Sequence, residues 1–179
     1  IEEEVFTDEI IHADETPHRM LEGDKKSNWY TWGFSTTRAS YFEVRDTRSG
    51  DVASDLLIGS NCKYLVSDVF SGYKKAVSEA NEGREEKIEH LFCNAHARRK
   101  FKDSEKNFET ESSYFLKLYS RVYRLESDDY KVNLSADDKR SWQKLYMRMM
   151  ERKAIKLKRL YSKYSSISKA LNYFLNNFE

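Results

Sequence analysis

Hydrophobic and polar positions follow two rhythms along the chain. Over the first ninety residues, short β-branched and aromatic runs alternate with stretches of helical spacing. From Ala97 onward only the helical spacing remains. In Glu9–Pro17, Ile10 and Ile11 predict a short strand, and Pro17, the only proline, closes it because its ring lacks an N–H. A polar turn cluster over Leu21–Asn28 leads to Trp29–Thr37 and then Ala39–Arg45. These are two strands whose short connection suits an antiparallel hairpin. Thr47-Arg48-Ser49-Gly50 breaks the pattern. Asp51–Ile58 then reads as a short helix, Tyr64–Asp68 as a fourth strand, Gly72–Asn81 as a second helix and Ile88–Cys93 as a fifth strand.

The second half predicts helices throughout. Tyr114, Leu118, Val122 and Leu125 recur at helical spacing, and Ser127–Ser135 is a polar connection. Ser135 has the character of an N-cap, with Asp137 and Asp138 in the first turn of a helix running to about Lys163. Trp142, Tyr146, Met149, Met150, Leu157, Leu160 and Tyr164 are expected on one side of it. Arg140, Lys144, Arg148, Arg152, Lys156, Arg159 and Lys163 are expected on the other. Residues 139–169 hold a single acid, Glu151. Ordinary surface helices mix signs, so a stripe of one sign fits contact with phosphates as well as simple solvation.

Composition and charge sharpen this picture. A chain of 179 residues suits one compact domain with an appendage, and 14% aromatic content favours a folded chain despite 34% charged residues. No apolar run approaches membrane-spanning length and no signal-peptide pattern opens the chain. Cys62 and Cys93 are too few for a disulfide framework, which points to a reducing cytoplasm. The chain begins without Met, as a fragment would. Its net charge of +1 conceals a split: residues 1–90 carry 11 Lys/Arg against 19 Asp/Glu, and residues 91–179 carry 20 against 11. Such asymmetry fits a polyanionic partner, or two surfaces with different duties.

The candidate chemistry lies at strand ends. Asp14 and Asp68 each close an apolar run, and if the first and fourth strands are neighbours the two carboxylates face each other. They then repel unless protonated or bridged by a cation. Each also has a purely structural reading, Asp14 in a turn with Thr16 and Asp68 as the N-cap of the next helix. His12, two residues before Asp14, shares its strand face, beside the acids or merely packed. Cys93-x-x-His96 has the form of a zinc half-site, but two ligands do not complete a tetrahedron, and nothing in the spacing of Cys62 or His90 demands that they join.

The order strand-strand-strand-helix-strand-helix-strand, with acids ending the first and fourth strands, is that of a ribonuclease H-like α/β fold. The expected architecture is a mixed five-stranded sheet with flanking helices over residues 1–96, and an α-helical insertion over 97–179. The stretches H-A-D-E-T-P at 12–17, T-R-S-G at 47–50, S-D-V-F-S-G-Y at 67–73 and C-N-A-H-A-R-R-K-F at 93–101, in that order, resemble the insertion-sequence 66 family of bacterial transposases. The resemblance implies a DDE-type core that cuts DNA and transfers strands with Mg2+ or Mn2+, within a complex of several transposase copies on duplex DNA. It matches Asp14 to the first metal-binding aspartate and Asp68 to the second. Similar Cys-x-x-His pairs in transposases with helical insertions imply that Cys93 and His96 lie near the acids, where His96 contacts the scissile phosphate or orders a neighbour; its structural reading is a hydrogen-bonded core histidine. Arg98, Arg99 and Lys100 then join the basic stripe as DNA-binding candidates.

The family's third acid, a glutamate, is expected after a stretch similar to A-L-N-Y-F-L-N-N-F-E, which here is residues 170–179, at the end of the chain. Spacing alone nominates Asp103 or Glu105, although both follow Arg98-Arg99-Lys100 on what reads as the first helix of the insertion. Two other functions are compatible with the same residues. One is a ribonuclease H-like nuclease acting on RNA or branched DNA; the other is a non-catalytic DNA-binding or assembly module.

Overall fold

A computed structural model describes residues 2–20, 28–127 and 134–177. The chain divides into two compact units, Ile1–Cys93 and Asn94–Glu179. The division coincides with the change of charge sign and of sequence rhythm. Residues 21–27 of the polar cluster expected over Leu21–Asn28, and the middle of the connection, 128–133, lie outside the described residues, and Asn28 already belongs to the second strand.

In the first unit, β1 (Ile10–Arg19), β2 (Asn28–Ser35) and β3 (Ser40–Arg45) form an antiparallel meander. The chain then crosses through α2 (Asp51–Leu57) to β4 (Tyr64–Ser67), and through α3 (Ser71–Ala80) to β5 (Glu89–Phe92). The sheet order is β3-β2-β1-β4-β5, with β1, β4 and β5 parallel. This is the mixed five-stranded, helix-flanked sheet of a ribonuclease H-like fold.

Pro17 does not end the first strand. β1 runs two residues beyond it, with Pro17 opposite Tyr30 of β2. The parallel ladder with β4 stops at His12, so at Pro17 the other edge of β1 carries no ladder that would need its N–H. A short helix that periodicity did not reveal, α1 (Glu2–Phe6), precedes β1 and adds Val5 to the core. Phe6 packs its ring 5.7 Å from that of Phe34.

One sheet face is dry. Ile11 and Ala13 of β1, Trp32 and Phe34 of β2, and Leu65 of β4 meet Val52, Ala53 and Leu57 of α2 and Tyr73, Ala76, Val77 and Ala80 of α3. The alternate positions point to the other face, where Ile10, Phe42, Val44, Tyr64 and Leu91 are exposed. The period of two therefore divides β1 cleanly, with Ile11, Ala13 and Glu15 inward and His12, Asp14 and Thr16 outward.

Helices α2 and α3 approach most closely at two glycines. A β-carbon on Gly50 would fall well inside van der Waals contact of the Gly72 backbone. The T-R-S-G and S-G-Y stretches are thus pressed together by the absence of side chains.

The second unit contains α4 (Asn94–Ser104), α5 (Glu109–Glu126), α6 (Ala136–Lys158) and α7 (Ser166–Asn176). Its core joins Phe101, Phe115, Tyr119, Met150, Ile167, Leu171 and Phe174. Phe101 and Phe115 stack with centroids 4.1 Å apart. Ser135 caps α6 as expected: its Oγ accepts the Asp138 N–H at 3.1 Å and donates to the Asp138 carboxylate at 2.6 Å.

The helix ends at Lys158, five residues short of Lys163, and Arg159 is its C-cap. Its buried line is Met150, Ala154 and Leu157, flanked by half-buried Tyr146 and Met147. Trp142, Met149, Leu160 and Tyr164, expected in the packed side, are exposed, the last two at 72% and 75%. The apolar side is narrower than sequence spacing implied because burial follows only the single line of successive turns that joins the core of this unit. Among the described residues no helix is long and apolar enough to cross a membrane.

Candidate active site

Strand register places the two aspartates. Ile10, Ile11 and His12 of β1 pair with Tyr64, Leu65 and Val66 of β4, a constant offset that sets Asp14 alongside Asp68 two steps past the last pair. Asp68 directly follows β4, but Asp14 does not end its strand as expected: it lies within β1, which pairs on with β2 to Arg19, and it stands just past the end of the parallel β1–β4 ladder. Asp14 is exposed and Asp68 half-buried. Asp14 Oδ1 accepts the Glu15 N–H at 3.1 Å, and Asp68 Oδ1 accepts the Phe70 N–H at 2.8 Å. The latter closes a turn just ahead of α3, whose N-cap residue is Phe70 and not Asp68.

Flanking groups continue along β5. The Cys93 N–H donates to Ser67 O at 2.8 Å, extending the β4–β5 pairing to the step beside Asp68. Ser67 Oγ is hydrogen-bonded to His90 Nε2 at 2.7 Å and lies 3.0 Å from Asp68 O, which can accept its hydrogen. Burial, followed by the charge of Lys74, holds the His90 pKa below its ordinary value, against the opposing pull of Asp68. Cys62 is buried and its thiol is pushed up to about 11 by that burial; both cysteines are free.

Behind Asp14, on the dry side of β1, stands a polar cluster that the sequence reading passed over. The Glu15 side chain is 1% exposed and forms an ion pair with Arg48, whose Nε donates to Glu15 Oε1 at 2.8 Å and whose Nη2 bonds the same oxygen. Tyr73 Oη, fully buried, donates to Glu15 Oε2 at 2.6 Å. Burial first, then Glu15, raises the Tyr73 pKa far above its usual range, so the phenol stays protonated and a donor. The Arg48 guanidinium lies 4.1 Å over the ring of Phe70.

A signal for this cluster was present. Glu15 alternates in phase with Ile11 and Ala13, so period two alone buries a carboxylate, and a buried carboxylate needs partners. Its partners come from T-R-S-G and S-G-Y.

The remaining candidates fall in both units. His12 shares the exposed face of Asp14, as period two required. Cys93 closes the first unit, while His96 lies half-buried in the first turn of α4 in the second. Arg98 is half-buried on α4, and Arg99 and Lys100 are exposed there, with Lys100 Nζ 5.6 Å above the Tyr173 ring. Arg140, Lys144, Arg148, Arg152 and Lys156 are exposed along α6, but Arg159 caps the helix and Lys163 lies beyond it, so the stripe is shorter than expected. Arg140 is engaged by Asp137 at 2.6 Å. Asp103 is exposed near the end of α4, and Glu105, just past it, pairs with Lys102.

The family model for IS66 family transposases matches residues 1–179. The chain belongs to that family. No curated protein gives a match. IS66 membership accounts for the fold and supports a role in transposition, with DNA as substrate and divalent metal use suggested by the DDE class.

The donor chemistry of this transposase domain fits such an ion: Asp14 and Asp68 offer hard carboxylate oxygens side by side just past the β1–β4 ladder, the type Mg2+ prefers. Among the described residues no group of three or more His, Cys, Asp or Glu assembles as a metal cage. Glu15, adjacent in sequence, cannot complete one, because it faces the opposite side of the sheet and both its oxygens are occupied by Arg48 and Tyr73.

Proposed function

We propose that the sheet unit is the catalytic core of a DNA transposase and that Asp14 and Asp68 hold Mg2+ or Mn2+ for phosphodiester cleavage and strand transfer. The constant β1–β4 offset carries this reading, because it brings together two acids fifty-four residues apart in sequence. The bound ion would activate a water or 3′-hydroxyl and stabilise the leaving oxygen. The chain's own residues supply the rest. Asp68 is held by the Phe70 N–H, and Asp14 by the Glu15 N–H, so both carboxylates are oriented before metal arrives.

The second unit serves as a helical insertion, offering Arg98, Arg99, Lys100 and the α6 stripe to duplex DNA. Self-association in a transposition complex follows the same reading. The alternative reading is a non-catalytic DNA-binding or assembly module. Calorimetry separates the two. On the catalytic reading, Mn2+ binds weakly, Asp68→Asn or Asp14→Asn abolishes that binding, and stability is kept or raised as like-charge repulsion is relieved. Equal Mn2+ binding by wild type and both variants would leave only the module.

A further inference from the structure

We propose that Arg48, clamped by Glu15 and Phe70, is a phosphate-binding residue at the turn that carries Asp68, and that Glu15 and Tyr73 are its positioning residues. The inference rests on the reading of the Asp14–Asp68 pair as a nucleic-acid site.

An ordinary surface arginine gives up much rotamer freedom on gripping a phosphate. Arg48 has already lost it. One edge of its guanidinium is fixed on Glu15 Oε1 by two N–H groups, and one face lies on Phe70. Glu15 in turn cannot swing, since it is buried and tied by Tyr73 Oη, and Tyr73 packs edge-on against Trp32 at 5.8 Å. Trp32 Nε1 donates to Thr47 O at 3.2 Å, pinning the loop that carries Arg48.

Yet the Arg48 side chain keeps 45% of its surface exposed, so the outer edge of the fork remains presented to solvent. That edge is the geometry that recognises a phosphate's paired oxygens. The Phe70 ring beneath the guanidinium belongs to the residue whose N–H is bonded to Asp68 Oδ1, so the cation stands at the turn that carries this acid. A phosphodiester approaching that acid therefore meets a pre-ordered positive fork.

The cluster also assigns work to residues that otherwise carry none. Glu15, Arg48, Phe70 and Tyr73 come from three separate stretches, and Gly50 and Gly72 bring two of those stretches into contact. A tie needed only for stability would be served as well by an apolar filling.

The test is the salt dependence of binding to a short DNA duplex, by fluorescence anisotropy at fixed Mn2+, for the full chain. Each phosphate neutralised contributes about −0.9 to the log–log slope. Because Arg48→Gln alone strands a buried carboxylate, the neutral double variant Glu15→Gln/Arg48→Gln is used, with thermal melting to verify folding. Its slope should flatten by about 0.9. Arg48→Lys keeps the point charge, so it should retain the slope while binding more weakly. If both variants fold and keep the wild-type slope and affinity, Arg48 is a structural tie and the proposal fails. Loss of Mn2+ binding in Asp68→Asn together with that result would overturn the Arg48 role while leaving the metal site standing. Unchanged Mn2+ binding in Asp68→Asn with a flattened Arg48 slope would do the reverse.

Discussion

At the scale of single residues, neighbours in sequence serve opposite sides of the sheet. Asp14 turns outward to the exposed face and Glu15 inward to Arg48 and Tyr73, so one strand supplies both a candidate ligand and the anchor behind it. On β5, His90 shows how burial sets a charge state near the acids. Its pKa is lowered by burial and Lys74, so the folded chain favours the neutral ring. The sign follows directly. Above the ordinary value of 6.5 the ring is neutral in both states and its contribution is fully present. As pH falls below that value the unfolded chain takes up the proton first, and stability declines until the folded ring also protonates. Denaturant midpoints compared at pH 7.5 and 5.5 should therefore fall on acidification in the wild type. They should fall less in His90→Gln, in which the amide offers both a donor and an acceptor to Ser67. An identical acid response in the two proteins would show that His90 does not sense its burial.

At the scale of elements, close approach of α2 and α3 is what brings Arg48 and Tyr73 onto one carboxylate. Gly50 is buried and its missing β-carbon is the space occupied by the Gly72 backbone. Gly50→Ala should cost about 1–3 kcal/mol in chemical denaturation, the range for overpacking a dense contact. A loss under a few tenths would mean that the helices separate freely. Local pattern made the five strands and the two crossover helices of this unit legible, though not α1, and the hairpin length marked the antiparallel turn. Pro17 misled because a proline ends a strand only where its N–H is needed, and the need depends on which neighbour lies alongside. The same limit applies to Glu15, whose phase was readable but whose partners, thirty-three and fifty-eight residues away, depend on tertiary packing. On α6 the periodicity was read as one wide apolar side, whereas burial follows only the line facing α5 and α7. Trp142 and Met149 fell outside it.

At the scale of the whole molecule, the charge split sets where a polyanion can lie. Residues 1–90 carry eight more acids than bases, and residues 91–179 nine more bases than acids. On the proposed reading, the negative balance of the sheet unit disfavours DNA away from the Asp14–Asp68 end, and the positive balance of the helical unit favours it. There, Lys144, Arg148, Arg152 and Lys156 are exposed along α6. Arg140 is partly neutralised by Asp137, and Arg159 and Lys163 lie past the helix end, so the stripe's working part is its middle. Exposed Leu145 and Met149 sit among these cations, which limits hydration of the face and suits a surface covered in its complex. Contacts of this kind position a protein on the backbone without reading bases. Affinity for duplex DNA should accordingly show little sequence preference and fall steeply with salt. Changing Arg148 and Arg152 together to Gln should flatten the log–log slope by roughly two while melting temperature holds, since neither side chain is buried. The effect should add to that of Arg48, because the two sites neutralise different phosphates. A double variant that folds and binds with an unaltered slope would make α6 a solvated face and leave the duplex held by α4 or by the acid end of the sheet.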